Sequence, residues 1–436
     1  MGEDAETEMD KTIGVIGLWH LGCVLTGAWF KLGQTVIGFD HDPARVGNLK
    51  KGTLPLYEPG LSEVVREGLG SAKITFSDDL RALASCDFIF LSYDTPVRED
   101  DSSDTTILET AVEDVRPVMK DGAILVVSSQ SPIGLCAELR RRLRRGRPTL
   151  ELAYSPENLR LGDALRCYLE PGRIILGAAA SETRERCRGL FSRLPADILT
   201  MSLESAEIVK HGINSFLATS IVFTNQLADI CEAAGARIDD VVAGMKSDPR
   251  IGRSAYLAPG IGFSGGTLGR DLKVLDEKNS AAGGAARMFG LVHALNAERK
   301  FSILQRIEHL VGGCAGRSIG VLGVTYKPGT STLRRSLPLE IVDLLLERNA
   351  EVRVFDPKAD YAELPGRPKF RVAASPEEAA QGADLLVLLT EWPEFKAADW
   401  GRLAGRMKRR VIFDTKNFLD QGALVSLGLE YHSVGR

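Results

Sequence analysis

The chain has 436 residues, of which 26% are charged, and a formal net charge of −4. This length suffices for two or three domains with substantial hydrophobic cores. The balance of charge has no basic excess, which argues against a nucleic-acid-binding protein. The N-terminal residues are acidic and no apolar run approaches the length of a membrane span, so we expect a cytoplasmic protein without a membrane anchor.

Seven cysteines are scattered along the chain without Cys-x-x-Cys spacing, at positions 23, 86, 136, 167, 187, 231 and 314. An odd number of unclustered cysteines fits reduced intracellular thiols better than a disulfide framework or a zinc site. We therefore expect free thiols, mostly in the core, and no bound metal.

The N-terminal part predicts a βαβ unit, with a strand over 13–16, a helix over 21–32 and a second strand over 36–39. The turn before the helix reads Gly17-Leu18-Trp19-His20-Leu21-Gly22. It matches the dinucleotide fingerprint at the first and third glycines and has Trp19 at the second. Asp40 ends the next strand, where a carboxylate accepts hydrogen bonds from ribose hydroxyls, which favours NAD over NADP.

Trp19 is unexpected, because the middle glycine normally lets backbone amides approach the pyrophosphate. We expect weakened or altered cofactor binding at this turn. A Rossmann-type domain that binds nothing is the alternative interpretation of this stretch.

Strands are next predicted over 88–91 and 124–127, followed by polar residues that include Thr95 and Gln130. Ligands of open parallel sheets bind at such carboxyl ends. A long helix is predicted over about 205–234, in which Lys210 and Asn214 are four residues apart and share one face. As an isolated pair, an exposed lysine beside a packing amide is the simpler interpretation.

Residues 260–271 form a glycine-dense segment that we interpret as a catalytic loop with Thr267 at the position of a nucleophile. Gly262, Gly265 and Gly266 allow positive φ and close approach of the backbone to a ligand, and Phe263 is expected to anchor the loop. An ordinary connection between helices is the alternative.

A second β-loop-α-β pattern covers 319–323, 337–348 and 352–355, ending at Asp356. Its loop carries Lys327, Arg334 and Arg335, which suit either phosphate binding or a solvated charge cluster. We predict an α/β protein with two Rossmann-like, doubly wound parallel-sheet domains joined by a long central helix. The predicted domains are 1–200, 201–300 and 301–436.

Ordered motifs over nearly the whole chain resemble the UDP-glucose/GDP-mannose dehydrogenases, which oxidise the sugar C6 alcohol of a nucleotide sugar to a carboxylate with two NAD. The motifs are Tyr57-Glu58-Pro59-Gly60-Leu61, Thr95-Pro96, Ser155-Pro156-Glu157, 210–214, Arg250-Ile251-Gly252, 262–271, 327–334, Asp356-Pro357, Thr390-Glu391-Trp392 and Asp414-Thr415-Lys416-Asn417.

The resemblance implies a role for each matched residue. The groups assigned around the reacting carbon are Glu157, Lys210, Asn214, Asp271 and Thr267, with Lys210 and Asp271 handling protons and water. The cofactor side is assigned to Gly17, Trp19, His20, Leu21, Gly22, Asp40, Arg45, Thr95, Gln130 and Arg334. The nucleotide-sugar side is assigned to Leu159, Lys210, Asn214, Arg250, Phe263, Gly266, Lys327 and Lys416. Arg250 is expected to reach the sugar bound in a partner subunit, which implies a homodimer.

Departures from the family pattern gather where the chemistry takes place. They are Thr267 for the nucleophilic cysteine, Trp19 for the middle glycine, Gln130 for a threonine, Leu161 for a glutamate, Thr332 for an aspartate and Lys416 for an arginine. A thiol with pKa about 8.5 supplies a reactive thiolate near neutral pH, whereas an aliphatic hydroxyl needs a strong positioned base.

We therefore expect an NAD-dependent oxidoreductase that acts on a nucleotide sugar by hydride transfer at the C6 alcohol. The first oxidation needs no sulfur, whereas the family's second oxidation passes through a thioester, so we expect either a single oxidation to the aldehyde or oxidation without a thioester. The alternatives are a catalytically inactive nucleotide-sugar-binding homologue and a redox-neutral NAD-dependent epimerase.

Overall fold

The computed structural model describes residues 11–96, 98, 103–156, 159–160, 162–284, 287–364, 366 and 369–436. The chain divides into two units, unit 1 up to His211 and unit 2 from Gly212. The boundary falls inside one long helix, α8 (Leu203–Ala234), so each unit owns part of it. The three-domain division expected from the sequence stays a prediction.

Unit 1 is built on an eight-stranded sheet. Its strands are β1 (Thr12–Ile16), β2 (Thr35–Phe39), β3 (Ile74–Ser77), β4 (Phe88–Leu91), β5 (Ile124–Val127), β6 (Glu151–Tyr154), β7 (Ile174–Ala178) and β8 (Ile198–Met201). They lie in the order β3-β2-β1-β4-β5-β6-β7-β8, and all neighbours are parallel except β6 and β7. The strand order reverses between β1 and β4, which is where doubly wound folds bind ligands.

Helices cover both faces of this sheet. They are α1 (His20–Lys31), α2 (Pro43–Lys50), α3 (Leu61–Gly70), α4 (Thr106–Val115), α5 (Leu135–Leu143), α6 (Ala164–Leu169) and α7 (Ser181–Phe191), with a 3₁₀ helix at Leu80–Ser85. All residues of β4 and β5 are buried, because a parallel sheet packs against helices on both sides. Trp29 of α1 packs on Phe90 of β4 in one of the two cores.

Unit 2 begins with the second part of α8 and three further helices, α9 (Ile238–Ser247), α10 (Thr267–Ala281) and α11 (Met288–Val311). The glycine-dense segment is therefore only partly a loop. Helix α10 begins at Thr267 and includes Asp271, so the loop expected over 260–271 ends at Gly266. Glycine is a poor helix former and becomes sparse after Gly266, which explains the boundary.

The rest of unit 2 is a six-stranded, fully parallel sheet with flanking helices. Its strands are β9 (Ser318–Leu322), β10 (Glu351–Phe355), β11 (Arg371–Val372), β12 (Leu385–Leu388), β13 (Val411–Asp414) and β14 (Glu430–Ser433), in the order β11-β10-β9-β12-β13-β14. Its helices are α12 (Leu337–Glu347), α13 (Pro376–Ala380), α14 (Pro393–Lys396), α15 (Trp400–Arg406) and α16 (Gln421–Ser426), with a 3₁₀ helix at Tyr361–Glu363.

The two units repeat one turn geometry after their first strands. In unit 1 the Leu18 N–H donates to Asp40 Oδ2 at 2.7 Å, and in unit 2 the Val324 N–H donates to Asp356 Oδ2 at 2.7 Å. In each unit an aspartate at the end of the second strand thus fixes the turn after the first. The prediction of two Rossmann-like domains and a long central helix is confirmed. No helix in the described ranges combines the length and apolar character needed to cross a bilayer.

Candidate active site

The turn between β1 and α1 is shaped by its two glycines. Gly17 has a φ of +91°, which side chains on L residues rarely tolerate. A Cβ on Gly22 would lie 1.9 Å from the Gly17 carbonyl oxygen. No side chain among the described residues caps the start of α1, so its first N–H groups are available to an anion. This cradle fits the diphosphate of a dinucleotide.

Asp40 stands at the end of β2 beside that turn and is buried. Its Oδ2 accepts hydrogen bonds from the Leu18 N–H at 2.7 Å and from Arg45 Nη1 at 2.8 Å, while Oδ1 accepts from the Asp42 N–H at 3.0 Å. Trp19 is 43% exposed, and its ring lies 5.4 Å from the Arg45 guanidinium carbon. The structure thus brings Trp19, Asp40 and Arg45 together, as the assignment to one cofactor site requires.

His20 contacts a residue that we had not assigned to the site. Its Nε2 lies 2.8 Å from Oε2 of the buried Glu58, whose carboxylate also accepts the N–H groups of Gly162 at 3.1 Å and Ala164 at 2.7 Å. Glu58 therefore connects the dinucleotide turn to the backbone that follows residues 155–159, the segment in which the sequence places Glu157 and Leu159. Its membership of the Tyr57–Leu61 motif was the available signal, but the motif gave no role for its carboxylate.

Thr95 and Gln130 meet at the carboxyl ends of β4 and β5, where the Thr95 hydroxyl donates to the Gln130 carbonyl oxygen at 3.2 Å. The first part of α8 holds the loop that follows β5. Buried Glu207 accepts the Gly134 and Cys136 N–H groups at 2.6 and 2.8 Å. Burial raises the pKa of Glu207 above its ordinary value. Lys210 lies three residues further along α8. The same helix therefore holds the loop after β5 and carries this catalytic candidate.

A cavity of about 370 Å³ in unit 1 is lined in part by Ser155, Pro156 and Leu159. Its wall includes Ser128 and Ser155, at the ends of β5 and β6, together with Leu159. Leu159 thus lines a concave surface, and its assignment to the nucleotide sugar stays a prediction. Glu157 and Leu161 lie outside the described residues, so the role assigned to Glu157 stays a prediction.

The catalytic candidates of unit 2 are brought together by α8 and α10. Asn214 Nδ2 donates to Asp271 Oδ2 at 2.5 Å, and the Asp271 side chain is fully buried. Thr267 is the exposed first residue of α10, one helical turn before Asp271, so both lie on one helix face. A carboxylate held by an amide beside an exposed hydroxyl is an arrangement that can bind and relay protons.

The loop before α10 is held by polar residues that sequence reasoning missed. Asn296 Oδ1 accepts the Phe263 N–H at 2.8 Å and its Nδ2 donates to the Phe263 carbonyl oxygen at 3.0 Å. The Gly260 N–H donates to Asn225 at 2.8 Å, and Arg299 Nε donates to the Gly260 carbonyl oxygen at 3.0 Å. Asn296 and Arg299 occupy buried positions on α11 that periodicity would assign to apolar residues. Polar residues at such positions indicate a structural hydrogen-bonding role, which could have been read from the sequence.

The same loop is bonded to the loop that carries Lys327 and Arg334. The Gly265 N–H donates to the Arg335 carbonyl oxygen at 3.0 Å, and the Leu337 N–H donates to Ser264 Oγ at 3.1 Å. The loop with Lys327 and Arg334, which is the phosphate-binding candidate of unit 2, is therefore next to the glycine loop. Gly266 is the residue immediately before α10.

Carboxylates stand beside several of the remaining candidates. Lys416 Nζ lies 3.2 Å from Glu391, and the exposed Arg250 is bonded to Asp248 at 2.7 Å. Thr332, which stands where the family has an aspartate, donates its hydroxyl to Glu363 at 2.7 Å. Glu363, from another segment, therefore places a carboxylate next to position 332, where the family has an aspartate.

All seven cysteines are described and free, and all but Cys167 are buried. Burial is the main reason that the pKa of six of them is raised, to about 12 for Cys23, Cys86 and Cys187 and about 11 for Cys314, and above the ordinary value for Cys136 and Cys167. Cys231 is buried. A thiol with a raised pKa supplies little thiolate near neutral pH. The described part of the chain also contains no cluster of three or more His, Cys, Asp or Glu arranged for a metal ion.

Comparison with known proteins identifies the family of the chain. Residues 11–195 match the NAD binding domain of the UDP-glucose/GDP-mannose dehydrogenase family, 204–298 its central domain and 320–421 its UDP binding domain. UDP-glucose 6-dehydrogenase of Pseudomonas aeruginosa is 31% identical, with 97% of each chain covered. UDP-glucose 6-dehydrogenase TuaD of Bacillus subtilis is 30% identical, covering 98% of this chain and 93% of its own.

Solved structures agree in fold. A UDP-glucose dehydrogenase from the archaeon Pyrobaculum islandicum superposes with a TM-score of 0.85 at 29% identity, covering 96% of both chains. A UDP-D-ManNAc dehydrogenase from Pyrococcus horikoshii gives the same TM-score at 23% identity, over 98% of this chain and 99% of its own, and supports the fold alone. The cofactor is NAD, and the chain belongs to the UDP-glucose/GDP-mannose dehydrogenase family of NAD-dependent oxidoreductases.

Proposed function

We propose that this protein oxidises the C6 alcohol of a UDP-glucose-like nucleotide sugar with NAD and without a thioester intermediate. The observation that carries the proposal is the hydrogen bond from Asn214 of α8 to Asp271 of α10. Helix α10 begins at Thr267, which presents a hydroxyl where the family has its thiol. The acid–base groups are retained, and the sulfur is absent. The UDP binding domain match and the names of the relatives support a UDP-sugar as substrate.

NAD, when bound, supplies the acceptor for the hydride that leaves C6. The protein must then take the hydroxyl proton and hold the developing aldehyde. Lys210 and Asp271 are the candidates for proton transfer, and Asn214 fixes the Asp271 carboxylate through its 2.5 Å hydrogen bond. Positioned proton transfer of this kind contributes about 10²- to 10⁴-fold to the rate.

Oxidation beyond the aldehyde requires water as the oxygen source when no thiol is available. Hydration of the aldehyde gives a gem-diol, which would form the carboxylic acid by losing a hydride to a second NAD and a proton to a base. Lys210 and Asp271 are again the groups assigned to binding the diol and accepting its proton. Because the gem-diol is held only by hydrogen bonds, we expect this step to be slower than the first oxidation.

The test is incubation of the purified protein with NAD and a panel of UDP-, dTDP- and GDP-sugars, with NADH followed by absorbance and products identified by mass. The expected result is NADH formation with a UDP-sugar and accumulation of the aldehyde or its hydrate. The absence of NADH with every sugar, under conditions in which a cysteine-containing relative turns over, would remove the proposal. Isomerised sugar without net NADH would instead identify an epimerase.

A non-catalytic nucleotide-sugar-binding protein is the second candidate. The observation in its favour is that Trp19 in the dinucleotide turn and Thr267 at the nucleophile position both depart from the family pattern, whereas Lys327 and Lys416 on the sugar side are cationic. Calorimetric titration separates the two functions. The binding-only function predicts micromolar affinity for a UDP-sugar with feeble affinity for NAD, and micromolar affinity for NAD counts against it.

We further propose that the protein is a cytoplasmic homodimer. The seven free cysteines fit a reducing compartment. On α8, the side chains of Phe216, Phe223 and Ile230 are 69%, 48% and 62% exposed and recur every seven residues, so they form one apolar stripe. A second copy of the chain presenting the same stripe would cover it. Arg250, exposed after α9, is the residue proposed to reach the partner's sugar site.

A further inference from the structure

The tryptophan in the dinucleotide turn has a large exposed surface that the proposed reaction leaves unexplained. We propose that Trp19 and Arg45 form a cover for the adenosine diphosphate half of NAD, so that Trp19 strengthens cofactor binding rather than obstructing it. This inference deepens the proposed function and rests on it for the identity of the cofactor. It reverses the expectation drawn from the loss of the middle glycine.

The backbone at Trp19 imposes no strain on a large side chain. Its φ is −85° and its ψ is −150°, which is extended backbone open to any L residue. The positive φ of the turn is taken by Gly17, and the close contact between α1 and the turn is made at Gly22. A tryptophan between these glycines therefore leaves the turn geometry intact.

The indole lies on the adenosine side of the turn. Arg45, in α2, is fixed to Asp40 at 2.8 Å and lies 3.7 Å from Asp42, and its guanidinium is 5.4 Å from the Trp19 ring. Asp40 is the carboxylate placed to accept the adenosine ribose hydroxyls. Trp19 is therefore next to the ribose position, and the cation–π contact with Arg45 orients its ring.

The chemistry of this surface suits an adenosine diphosphate group. An indole face offers stacking to a purine or an apolar wall to the ribose, and a guanidinium is a partner for diphosphate oxygens. Trp19 nevertheless stays 43% exposed, whereas Trp29, Trp392 and Trp400 are at most 7% exposed. An aromatic ring of this size, held in place but uncovered, is typical of a surface that a ligand covers.

Because all four tryptophans are described and three are buried, fluorescence quenching by iodide reports mainly on Trp19. The wild-type protein is titrated with NAD, ADP-ribose and nicotinamide mononucleotide, and iodide quenching is measured at each saturation. We expect NAD and ADP-ribose to protect Trp19, and the mononucleotide to leave it accessible. The Trp19→Gly variant should lose the quenchable emission and bind NAD on the order of tenfold more weakly by calorimetry.

Two further variants keep the test decisive. W19F retains an aromatic face and should recover part of the lost affinity, and R45K retains the charge but not the planar guanidinium and should bind NAD more weakly. Circular dichroism and UDP-glucose binding confirm that each variant is folded. Tighter NAD binding by W19G, or unchanged access of iodide to Trp19 in saturating NAD, overturns this inference and leaves the proposed function standing. A wild-type protein that binds UDP-glucose but no NAD overturns the proposed function as well.

Discussion

At the scale of single residues, the proposed function makes the hydroxyl of Thr267 the group that determines which products form. Thr267 is the first residue of α10 and is exposed, and a thiol at a helix N-terminus has a lowered pKa. We therefore predict that Thr267→Cys opens the covalent route to the acid. NADH formed per sugar should rise from about one to about two, and the product should change from aldehyde to carboxylate, because thioester chemistry carries the second oxidation. Absorbance and product mass measure both changes.

Thr267→Ser is the matched control, because it removes a methyl group and supplies no thiolate. Its product should remain the aldehyde. If Thr267→Cys keeps the first oxidation and still releases only aldehyde, position 267 is not the site of the nucleophile. If the wild-type protein already yields acid at two NADH per sugar, the hydroxyl enzyme completes the reaction through the gem-diol.

At the scale of the structural elements, the loop before α10 depends on a backbone conformation that only glycine adopts easily. Gly262 has a φ of +106°, and a Cβ there would lie 2.5 Å from Asn296 Oδ1, the atom that holds the Phe263 N–H. We predict that Gly262→Ala lowers kcat/KM by about 100-fold, since misplaced catalytic groups cost this much. The free energy of unfolding should fall by about 1–3 kcal/mol because of the strained φ and the lost hydrogen bond.

Gly244 provides the control for this substitution. It is an exposed glycine inside α9, and no atom of the described residues outside its own helical turn lies within 4 Å of the position that an added Cβ would take. Gly244→Ala should leave turnover unchanged and raise stability by about 0.5–1 kcal/mol, because alanine favours helix. Steady-state kinetics and urea denaturation of both variants make the comparison. Equal effects of the two substitutions would show that the loop tolerates a side chain.

The contact between α8 and the loop after β5 makes stability depend on pH. Burial raises the pKa of Glu207 above its ordinary value of 4.5. Between 4.5 and the raised pKa, the folded protein holds a proton that the unfolded chain has lost, so the free energy of unfolding falls as pH rises through this window. We predict that Glu207→Gln removes this part of the slope, as measured by urea denaturation at a series of pH values.

Glu185→Gln supplies the control, because Glu185 is an exposed carboxylate on α7. Its pH dependence of stability should match that of the wild-type protein. A Glu207→Gln variant with an unchanged slope would show that Glu207 titrates alike in the folded and unfolded protein.

The helices and strands also show which parts of the structure can be predicted from the sequence. Periodicity predicted the strand 13–16 and the helix 205–234 to within about two residues, because burial on fixed faces imposes the repeat. It could not find the hydrogen bonds that join distant segments. Glu58 is bonded to residues more than 100 positions away, and Asn296 to Phe263 across 33 positions. Such pairs leave no periodic trace, so the assembly of the site had to come from the structure.

At the scale of the whole molecule, the apolar stripe on α8 is the proposed contact between two copies of the chain. We predict that the protein is a dimer in light scattering and that Phe223→Asp, which places a charge in the middle of the stripe, converts it to a monomer. If Arg250 serves the partner's site, the monomer should also lose most of its turnover. An unchanged dimer would mean that another surface joins the subunits.

Mixing two inactive variants tests the reach of Arg250 directly. Lys210→Met and Arg250→Ala each remove one group, and co-expression forms mixed dimers in half of the random pairings. When Arg250 acts across the dimer, one site of each mixed dimer has both an intact Lys210 and the partner's intact Arg250, so about a quarter of all sites should be active. When it acts within its own chain, every site carries a lesion and activity stays absent. Adding Phe223→Asp to both variants should abolish the recovery, because recovery requires the dimer.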